Sequence, residues 1–472
     1  MPHADQNTSC TEDSAGSVFS LPDDAPRPRS VRVKKELRVL PGRRNTFEGI
    51  WGESPVVVKR LNPSLRAWYD FRKEIRVTAA LRGLGIAVPE VLYAGRKRDG
   101  SWVLVMRKVG KGNTLAAEIR ACEAESDKDE LLRFFLGGLA YHHAQGVEQR
   151  DLHGENYIQH AGELWLLDAG QVRLHSHSLS VKKSLSQLAL VLSQHPELNQ
   201  EQCLGLIRSY FSERGYYENS RRTALVQKYM EQHRHRNLKK FVRKCLRNNS
   251  RHLRIRDSGG TAIVDRDFAP AVVSDTLWQD IEQYMEEGTP LKEGNTSVLV
   301  RARIGERDVL IKRYNHKGFF HSIRQTLKGS RAQRSWCNAH RLRSLGVSTP
   351  FPLAMLECLQ MGVVHHSYIL TEYVHAHPLG VFLENDSVSE ERRALVSQRV
   401  LNLFENLKRY KVNHNDLKHT NILVHQYHPL LTDLDGMRMY RSDTMFRRRW
   451  RKDWERFLKN WEGMPAIRSM FE

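Results

Sequence analysis

The alternation of apolar and polar positions predicts the same series of elements in each half of the chain. The β-branched segment SPVVVKRL (54–61) is typical of a strand, and the helix that follows it should end near Gly85. The segments SWVLVMRKV (101–109) and SYILTEYV (367–374) predict strands in their respective halves. Apolar residues at helical spacing are Phe71, Ile75 and Ala79, then Leu131, Leu132, Phe135 and Leu139, and in the second half Leu401, Phe404 and Leu407. Each half is therefore predicted to run strands, helix, strands and then mostly helices.

An internal repeat explains this agreement, because four segments of the first half recur in the same order in the second. One match could arise by chance, whereas four in order indicate a duplicated domain. We predict a disordered tail over 1–30, one domain over 31–257 and a second over 258–472. The basic segment 221–256 should form the closing helix of the first domain plus a junction, with the break at DSGG (257–260). The matched pairs are VVVKRL with VLIKRY, LRGLGIAVPEVLYA with LRSLGVSTPFPLAML, VEQRDLHGENYIQ with VNHNDLKHTNILV, and LWLLDAGQV with LLTDLDGMR.

Composition excludes some functional classes and leaves others open. The chain has 472 residues, 40% of them hydrophobic, with no apolar run long enough to span a membrane and no features of a secretory signal at its start. Its six cysteines form no CxxC pair, which favours free thiols in a reducing compartment. The net charge of +20 indicates an anionic partner, which could be nucleic acid, phospholipid headgroups or a phosphorylated substrate.

A small set of side chains suffices for phosphoryl transfer from ATP: a lysine on the phosphates, two metal-holding groups and a carboxylate at the acceptor hydroxyl. In the first half, Lys59 on a strand would contact the phosphates, and Glu74 on the next helix would pair with it. Asp151 would act on the acceptor hydroxyl as base or orienter. Asn156 and Asp168 would hold Mg²⁺, since amide and carboxylate oxygens suit this cation.

The second half supplies the same set except for one residue. The matching residues are Lys312, Asp416, Asn421 and Asp433. The helical segment RAQRSWCNAHRLRSLG (331–346) contains no acidic residue, so Lys312 lacks an obvious counterpart of Glu74, and we expect Asn338 to be presented in its place. The second half is therefore either catalytic or degenerate.

These motifs resemble those of protein kinases. RDLHGEN and NDLKHTN match the catalytic-loop pattern D-L-x-x-x-N, and LLDAG and LTDLDG are similar to the metal-binding D-F-G motif. The segments VLIKRYN, RAQRSWCNAHRLRSLGVSTPFPLA, HNDLKHTNILV and KDWERFLKNW resemble the bacterial lipopolysaccharide core kinases, which include heptose and Kdo kinases. The resemblance covers both halves, roughly from residue 31 to the end.

The resemblance implies an α+β fold of two tandem protein-kinase-like domains. Each domain would have a small β-rich N-lobe with one key helix and a mainly helical C-lobe. The resemblance also implies ATP and Mg²⁺ as cofactors. The acceptor would be a lipopolysaccharide core oligosaccharide or lipid-linked sugar, phosphorylated at the cytoplasmic face of the inner membrane. The positive charge would then attract the anionic membrane surface.

Departures from the protein-kinase pattern bear on the choice of acceptor. The segments LPGRRNTFEGIWG and LKEGNTSVLVRARIG, which precede the two lysine strands, contain no full G-x-G-x-x-G. Few residues follow Asp433 and no A-P-E segment is present, so a small or carbohydrate acceptor is favoured over a peptide. The favoured hypothesis is a core-sugar kinase whose first domain is catalytic. The alternatives are a pseudokinase or regulatory scaffold in lipopolysaccharide assembly, and a kinase for another small molecule or a protein. Nucleic-acid binding is disfavoured, because no reading module is recognisable.

Two further features have less specific interpretations. The histidine pairs His142/His143, His175/His177 and His233/His235 lack a carboxylate or cysteine at ligand spacing, which disfavours metal binding there. The basic segment FRRRWRKDW (446–454) interleaves aromatic residues with arginine. It fits an interfacial anchor on anionic lipid and a helix that covers the last core equally well.

Overall fold

The computed structural model describes residues 17–40, 42–110, 112–315, 329–360 and 363–472. The fold is mixed α+β, as predicted. It divides into two compact units, Met1–His235 and Arg236–Glu472. Within the described ranges, no helix combines the length and the apolar character that crossing a membrane requires.

The first unit opens with six strands: β1 (Val18–Ser20), β2 (Ser30–Leu40), β3 (Arg44–Trp51), β4 (Ser54–Leu61), β5 (Val91–Arg96) and β6 (Trp102–Arg107). They form one antiparallel sheet in the order β1-β2-β3-β4-β6-β5. Alternation along β4 buries Val56 and Val58 against Phe47, which confirms the strand predicted from SPVVVKRL. Lys59 therefore projects from the opposite face, paired in register with Thr46 on β3 and Leu104 on β6.

Six helices and four short strands complete this unit. Ser64 caps the start of helix α1, because its hydroxyl accepts a hydrogen bond from the backbone N–H of Ala67 at 3.0 Å. The chain leaves the helix at Gly85, whose φ is +70°. This confirms the predicted helix. The later helices pack around a core that includes Leu136, Leu185 and Leu206. The elements are α1 (Leu65–Gly83), α2 (Leu115–Ala121), α3 (Glu125–Ala144), β7 (Val147–Gln149), β8 (Tyr157–His160), β9 (Glu163–Leu166), β10 (Val172–Leu174), α4 (Val181–Leu192), α5 (Gln200–Glu213) and α6 (Ser220–Lys244).

The second unit is also built from a sheet followed by helices. Its strands and helices are, in chain order, β11 (His252–Arg256), β12 (Gly260–Asp265), α7 (Ala269–Val272), α8 (Leu277–Glu287), β13 (Thr289–Lys292), β14 (Ser297–Ile304), β15 (Arg307–Tyr314), α9 (Arg331–Ser344), β16 (Pro352–Gln360), β17 (Val363–Glu372), β18 (His377–Pro378), α10 (Leu379–Leu383), α11 (Glu390–Arg409), β19 (Val412–Asn413), β20 (Ile422–His425), β21 (His428–Leu431), β22 (Arg438–Met439), α12 (Asp443–Lys459) and α13 (Pro465–Arg468). Seven of the strands form one antiparallel sheet in the order β11-β12-β16-β17-β15-β14-β13.

The two sheets share a run of five strands. The order β2-β3-β4-β6-β5 in the first unit corresponds to β13-β14-β15-β17-β16 in the second. The matched lysines occupy equivalent strands, since Lys59 lies on β4 and Lys312 on β15. The sheets differ at their edges: β1 extends the first beside β2, whereas β12 and β11 extend the second beside β16.

The structure differs from the predicted boundaries in three places. Residues 17–30, assigned to a disordered tail over 1–30, include a strand paired with β2, because Phe19, Leu21 and Ala25 are apolar enough to bury against the sheet. Residues 1–16 lie outside the described residues. The DSGG segment is a turn between β11 and β12, in which the Asp257 carboxylate accepts from two backbone N–H groups, rather than a break between domains. The division between units falls earlier, within α6, because β11 belongs to the second sheet.

The basic C-terminal segment forms part of α12, and its aromatic residues cover a core. Phe446, Trp450, Phe457 and, just beyond α12, Trp461 are buried in the core of the second unit. Phe404 of α11 contacts the rings of Trp450 and Phe457. The cysteines within the described residues are free thiols: Cys122, Cys203, Cys245, Cys337 and Cys358. Cys10 lies outside the described residues.

Candidate active sites

The lysine of the first unit lies in a buried cluster of opposite charges. Lys59 Nζ donates a hydrogen bond to Glu74 Oε1, and both side chains are at least nine-tenths buried. The same ammonium lies 4.0 Å from Asp168 Oδ1. Strand β4 and helix α1 thus bring Lys59 and Glu74 together, and the turn after β9 adds Asp168. Both carboxylates hold the ammonium in one orientation, which is the arrangement expected of a phosphate-binding lysine.

Gly170 allows this approach. A Cβ atom at position 170 would lie 3.2 Å from Asp168 Oδ1, closer than an ordinary contact, and 3.5 Å from Glu74 Oε2, so a side chain would crowd the Asp168 carboxylate. The carbonyl oxygen of Gly170 accepts a hydrogen bond from Lys73 Nζ at 2.6 Å, which fixes the turn against α1. Glycine at this position therefore keeps the cluster compact.

Asp151 and Asn156 lie together in the loop between β7 and β8. Asn156 Nδ2 donates to the backbone oxygen of Asp151 at 2.8 Å, so the amide oxygen is the atom left to ligate a cation. The backbone oxygen of Asn156 accepts from the N–H of Leu167, the residue before Asp168, at 2.9 Å. The Asp151 carboxylate is exposed and lies 3.3 Å from His153 Nε2. The exposed Asp151 carboxylate is therefore accessible to an acceptor from solvent.

Gln149, which the sequence analysis did not single out, connects the two parts of this site. Its Nε2 donates to the backbone oxygen of Asp168 at 3.1 Å, and its Oε1 accepts from the N–H of Asp151 at 3.5 Å. Gln187 Nε2 in turn donates to the Gln149 backbone oxygen at 2.7 Å. Gln149 directly precedes the Arg-Asp pair of RDLHGEN, and this position was the only sequence feature that could have identified it as part of the site.

Buried histidine anchors this network to the helical core. His143 contacts Gln187 Oε1 at 3.0 Å and the Tyr210 hydroxyl at 2.6 Å through its two ring nitrogens. Burial lowers the pKa of His143 to about 3, so the ring is neutral at physiological pH. The neighbouring His142 is also buried, and its pKa is lowered to about 4 for the same reason. His143 therefore bridges two side chains of the helical core through its two ring nitrogens.

The lysine of the second unit has a different partner. Lys312 Nζ forms an ion pair with Asp433 Oδ1 at 2.7 Å. Asn338, expected in place of Glu74, instead donates to the backbone oxygens of Leu434 at 2.6 Å and Met437 at 3.3 Å. Asn338 thus supports the turn that carries Asp433, and within the described part of the chain it forms no hydrogen bond with Lys312. The sequence-based expectation for Asn338 is therefore corrected.

The residue that takes the helical position of Glu74 is Ser335, since each lies equally far before the glycine that follows its helix. Ser335 hydrogen-bonds to the Tyr314 hydroxyl at 2.8 Å. The position of Gly170 is taken by Asp435, which accepts a hydrogen bond from Arg331 Nε at 2.7 Å. The second unit thus carries its additional carboxylate on the turn, where the first unit carries it on the helix. Its countercharge is an arginine of α9.

Charge coupling in this turn is strong. Burial acts to raise the pKa of Asp433, but the adjacent Lys312 ammonium outweighs it and lowers that pKa to about 2. Burial raises the pKa of Asp435; Arg331 acts against this rise, and the hydrogen bond with Asp433 adds to it. Asp433 is therefore ionised, whereas Asp435 is the carboxyl of the pair that takes up a proton first.

The catalytic-loop candidates of the second unit are held more tightly than those of the first. Asn421 Nδ2 donates to the backbone oxygen of Asp416 at 2.8 Å, the same bond as in the first unit. The Asp416 carboxylate also pairs with Arg456 at 2.8 Å and with Lys418 at 3.0 Å. An acceptor hydroxyl would have to compete with Arg456 and Lys418 for the Asp416 carboxylate. Asp151 has no such lysine or arginine partner among the described residues.

The ligand atoms in both units suit a hard cation. The carboxylates of Asp168 and Asp433 each lie beside a lysine ammonium. Asn156 and Asn421 lie on loops whose backbone bonds to the residue before each aspartate, and they offer amide oxygens. Carboxylate and amide oxygens bind magnesium, and an ammonium binds nucleotide phosphates. The donor chemistry therefore fits a magnesium nucleotide in each unit.

Comparison with known proteins identifies a similarity for the second unit. Residues 275–465 match the model of the Lipopolysaccharide kinase (Kdo/WaaP) family. A search of curated proteins found no match to the chain. The matched range contains Lys312, Asp416, Asn421 and Asp433. This similarity implies a kinase and suggests lipopolysaccharide kinase activity.

Proposed function

We propose that the protein is an ATP-dependent phosphotransferase that phosphorylates a sugar hydroxyl of the lipopolysaccharide inner core at the cytoplasmic face of the inner membrane. The observation that carries the proposal is the buried cluster of Lys59, Glu74 and Asp168, linked through Gln149 to the loop of Asp151. The family match and the strand order shared by the two units support two tandem kinase-like domains.

Each residue of the first unit has a role that follows from its surroundings. Lys59, held by Glu74, binds and orients nucleotide phosphate. Asp168 and Asn156 hold Mg²⁺, which when bound neutralises charge on the phosphates. Asp151 accepts a hydrogen bond from the acceptor hydroxyl and orients it, and its exposure leaves room for a sugar.

The first unit is proposed as catalytic, and the second as catalytic or degenerate. Lys312 is paired with Asp433, the same carboxylate that would bind the metal ion. If Asp433 binds the metal instead, helix α9 has no acidic side chain that could hold Lys312 in place. These features favour a nucleotide-binding or regulatory role for the second unit, while the family match there favours activity.

The protein's net charge of +20 supports an acceptor that lies in anionic surroundings, because opposite charges attract. A lipid-linked, phosphorylated core sugar and the anionic leaflet that holds it would both be attracted. A peptide acceptor is disfavoured, because no A-P-E segment follows either of the D-F-G-like motifs.

The test is phosphate transfer from Mg-ATP to core oligosaccharide, measured with the full-length protein and with Asp151→Ala and Asp416→Ala singly. We expect Asp151→Ala to reduce transfer by about a thousandfold or more. Asp70→Ala, which removes an exposed carboxylate of α1, is the matched control and should leave transfer unchanged.

Three outcomes count against the proposal, and each contradicts a different part of it. Full transfer in both variants would show that neither loop carboxylate acts in catalysis and would refute the proposal. Loss of transfer in Asp416→Ala alone would move the active site to the second unit. Transfer to a peptide in preference to the sugar would overturn the acceptor class.

A further inference from the structure

A buried cluster in the second unit contains one thiol and two imidazoles. The possible ligand atoms of Cys245, His252 and His340 all lie within 4.8 Å of one another. The three side chains are at least nine-tenths buried. They come from three separate places: the end of α6, the start of β11 and the middle of α9. The cluster is distinct from the kinase-like residues described above.

Unpaired nitrogen atoms make the cluster more than a packing contact. His340 Nε2 is buried and has no hydrogen-bond partner among the described residues. His252 Nδ1 lies 3.4 Å from Asn249 Nδ2. Asn249 Nδ2 already donates its two protons to the carbonyl oxygens of Lys244 at 2.7 Å and Arg247 at 2.8 Å, so it has none left for His252. Buried polar atoms without partners are costly, so the fold gains if a ligand satisfies them.

The surrounding structure holds the three side chains in place. Asn249 Oδ1 accepts from the backbone N–H groups of Arg251 and His252, which fixes the turn that leads into β11. Trp336 Nε1 donates to the backbone oxygen of Cys245 at 3.0 Å. The Trp336 and His340 rings meet edge to face, with centroids 4.4 Å apart. A site built on two structured elements and a tight turn is preorganised for a ligand.

We propose that Cys245, His252 and His340 form a structural zinc site. Thiolate and imidazole are the ligands that Zn²⁺ prefers, and a tetrahedral ion places neighbouring ligand atoms about 3.4 Å apart. The observed separations therefore need to close by little more than about an ångström to bind it. A fourth ligand can come from Cys337, which lies one turn before His340 on α9.

The protonation states are compatible with this site. Burial lowers the pKa of His340 to about 3, and nearby His252 and the arginines Arg251 and Arg343 act in the same direction, so the imidazole is in the neutral form that binds metal. Burial raises the pKa of the Cys245 thiol to about 11. Zinc binding would therefore displace one proton from this thiol to solvent.

The zinc would fasten the junction segment to α9. Helix α9 also carries Arg331, which pairs with Asp435, and Asn338, which supports the turn of Asp433. Metal loading would thus stiffen the helix that faces the kinase-like residues of the second unit, whether or not that unit is active.

The test is metal analysis of the full-length protein purified without chelator, together with its thermal unfolding before and after chelation. We expect about one zinc per chain, and a fall in melting temperature of about 5 °C or more on removal that added Zn²⁺ reverses. Cys245→Ser and His340→Gln should each weaken zinc binding by more than about a hundredfold. Cys358→Ser removes a free thiol on β16 in the same unit and should bind zinc like the wild type.

Cobalt substitution gives a readout that does not depend on any variant folding. Co²⁺ in the wild-type protein should show the strong visible absorption of a tetrahedral site and a sulfur-to-metal charge-transfer band. A wild-type protein that holds no zinc and is not stabilised by it overturns the proposal. Zinc binding that survives in folded Cys245→Ser also overturns it. None of these measurements involves phosphate transfer, so they stand or fall independently of the proposed function.

Discussion

Replacing Glu74 by glutamine tests whether the buried ion pair does what the proposed function requires. The change keeps the side-chain shape but removes the charge opposite Lys59. The two side chains are only 8% and 5% exposed, so the ammonium would lose its main partner inside the protein. Breaking a buried pair on one side costs about 3–5 kcal/mol. Asp168, 4.0 Å away, offsets part of this loss, so we expect a destabilisation of about 2–3 kcal/mol.

The double variant Lys59→Met/Glu74→Gln separates stability from catalysis. Removing both charges leaves no unpaired ion in the Lys59–Glu74 pair, and the Asp168 carboxylate that remains is 16% exposed, so the unfolding free energy should recover by about 2 kcal/mol relative to the sum of the single variants. Phosphate transfer should not recover, because the lysine that binds nucleotide is absent. Urea unfolding followed by circular dichroism, with ATP turnover measured on the same samples, checks both expectations.

A surface pair in the same unit is the matched control. Arg107 and Glu90 lie 2.9 Å apart, but their side chains are 50% and 43% exposed. Glu90→Gln should therefore cost less than about 1 kcal/mol and leave turnover unchanged. If Glu74→Gln proves as harmless as Glu90→Gln, or if the double variant loses the full sum of the two single changes, the reasoning from burial is wrong.

Two further changes address the same site. Gly170→Ala introduces a Cβ 3.2 Å from Asp168 Oδ1; we expect turnover to fall about tenfold or more with little change in melting temperature, and normal turnover would contradict the crowding argument. His143→Gln removes a buried neutral imidazole whose pKa is lowered to about 3, whereas the unfolded chain takes up this proton near pH 6.5. The stability that depends on this ring is complete above about pH 6.5 and is lost as the pH falls toward 3. Between pH 7 and pH 4.5 the unfolding free energy of the variant should therefore fall by about 2–3 kcal/mol less than that of the wild type. Acid titrations followed by circular dichroism measure this difference. An identical acid sensitivity in both proteins would show that another group controls it.

Local patterns were sufficient to predict most helices and strands and the elements that carry the candidate residues. The strand of Lys59 follows from a β-branched run, and the helix of Glu74 follows from apolar spacing and a terminating glycine. The proximity of Asp151 to Asn156 also follows from sequence, because a short loop cannot separate them far. The structure places these features as the sequence patterns require.

The boundaries could not be predicted, because turn signals are ambiguous. DSGG has the composition of a linker, yet the Asp257 carboxylate accepts from the backbone of Gly259 and Gly260 and makes a tight turn between paired strands. Whether such a segment joins two strands or two domains depends on what packs on either side of it. The strand at Val18–Ser20 was missed for a related reason, since its partner lies on another part of the chain.

The sequence by itself determined where strands and helices form and which residues could carry phosphate-transfer chemistry, because these depend on neighbours within a few positions. The Lys59–Glu74 pair was expected from the sequence, but only the tertiary structure decided the other partners. It assigned Asp433 to Lys312, placed Arg331 against Asp435, and brought Cys245 near His340. Coulomb energy and desolvation act over a few ångströms in space, and residues far apart in the chain come that close only through the packing of the whole fold.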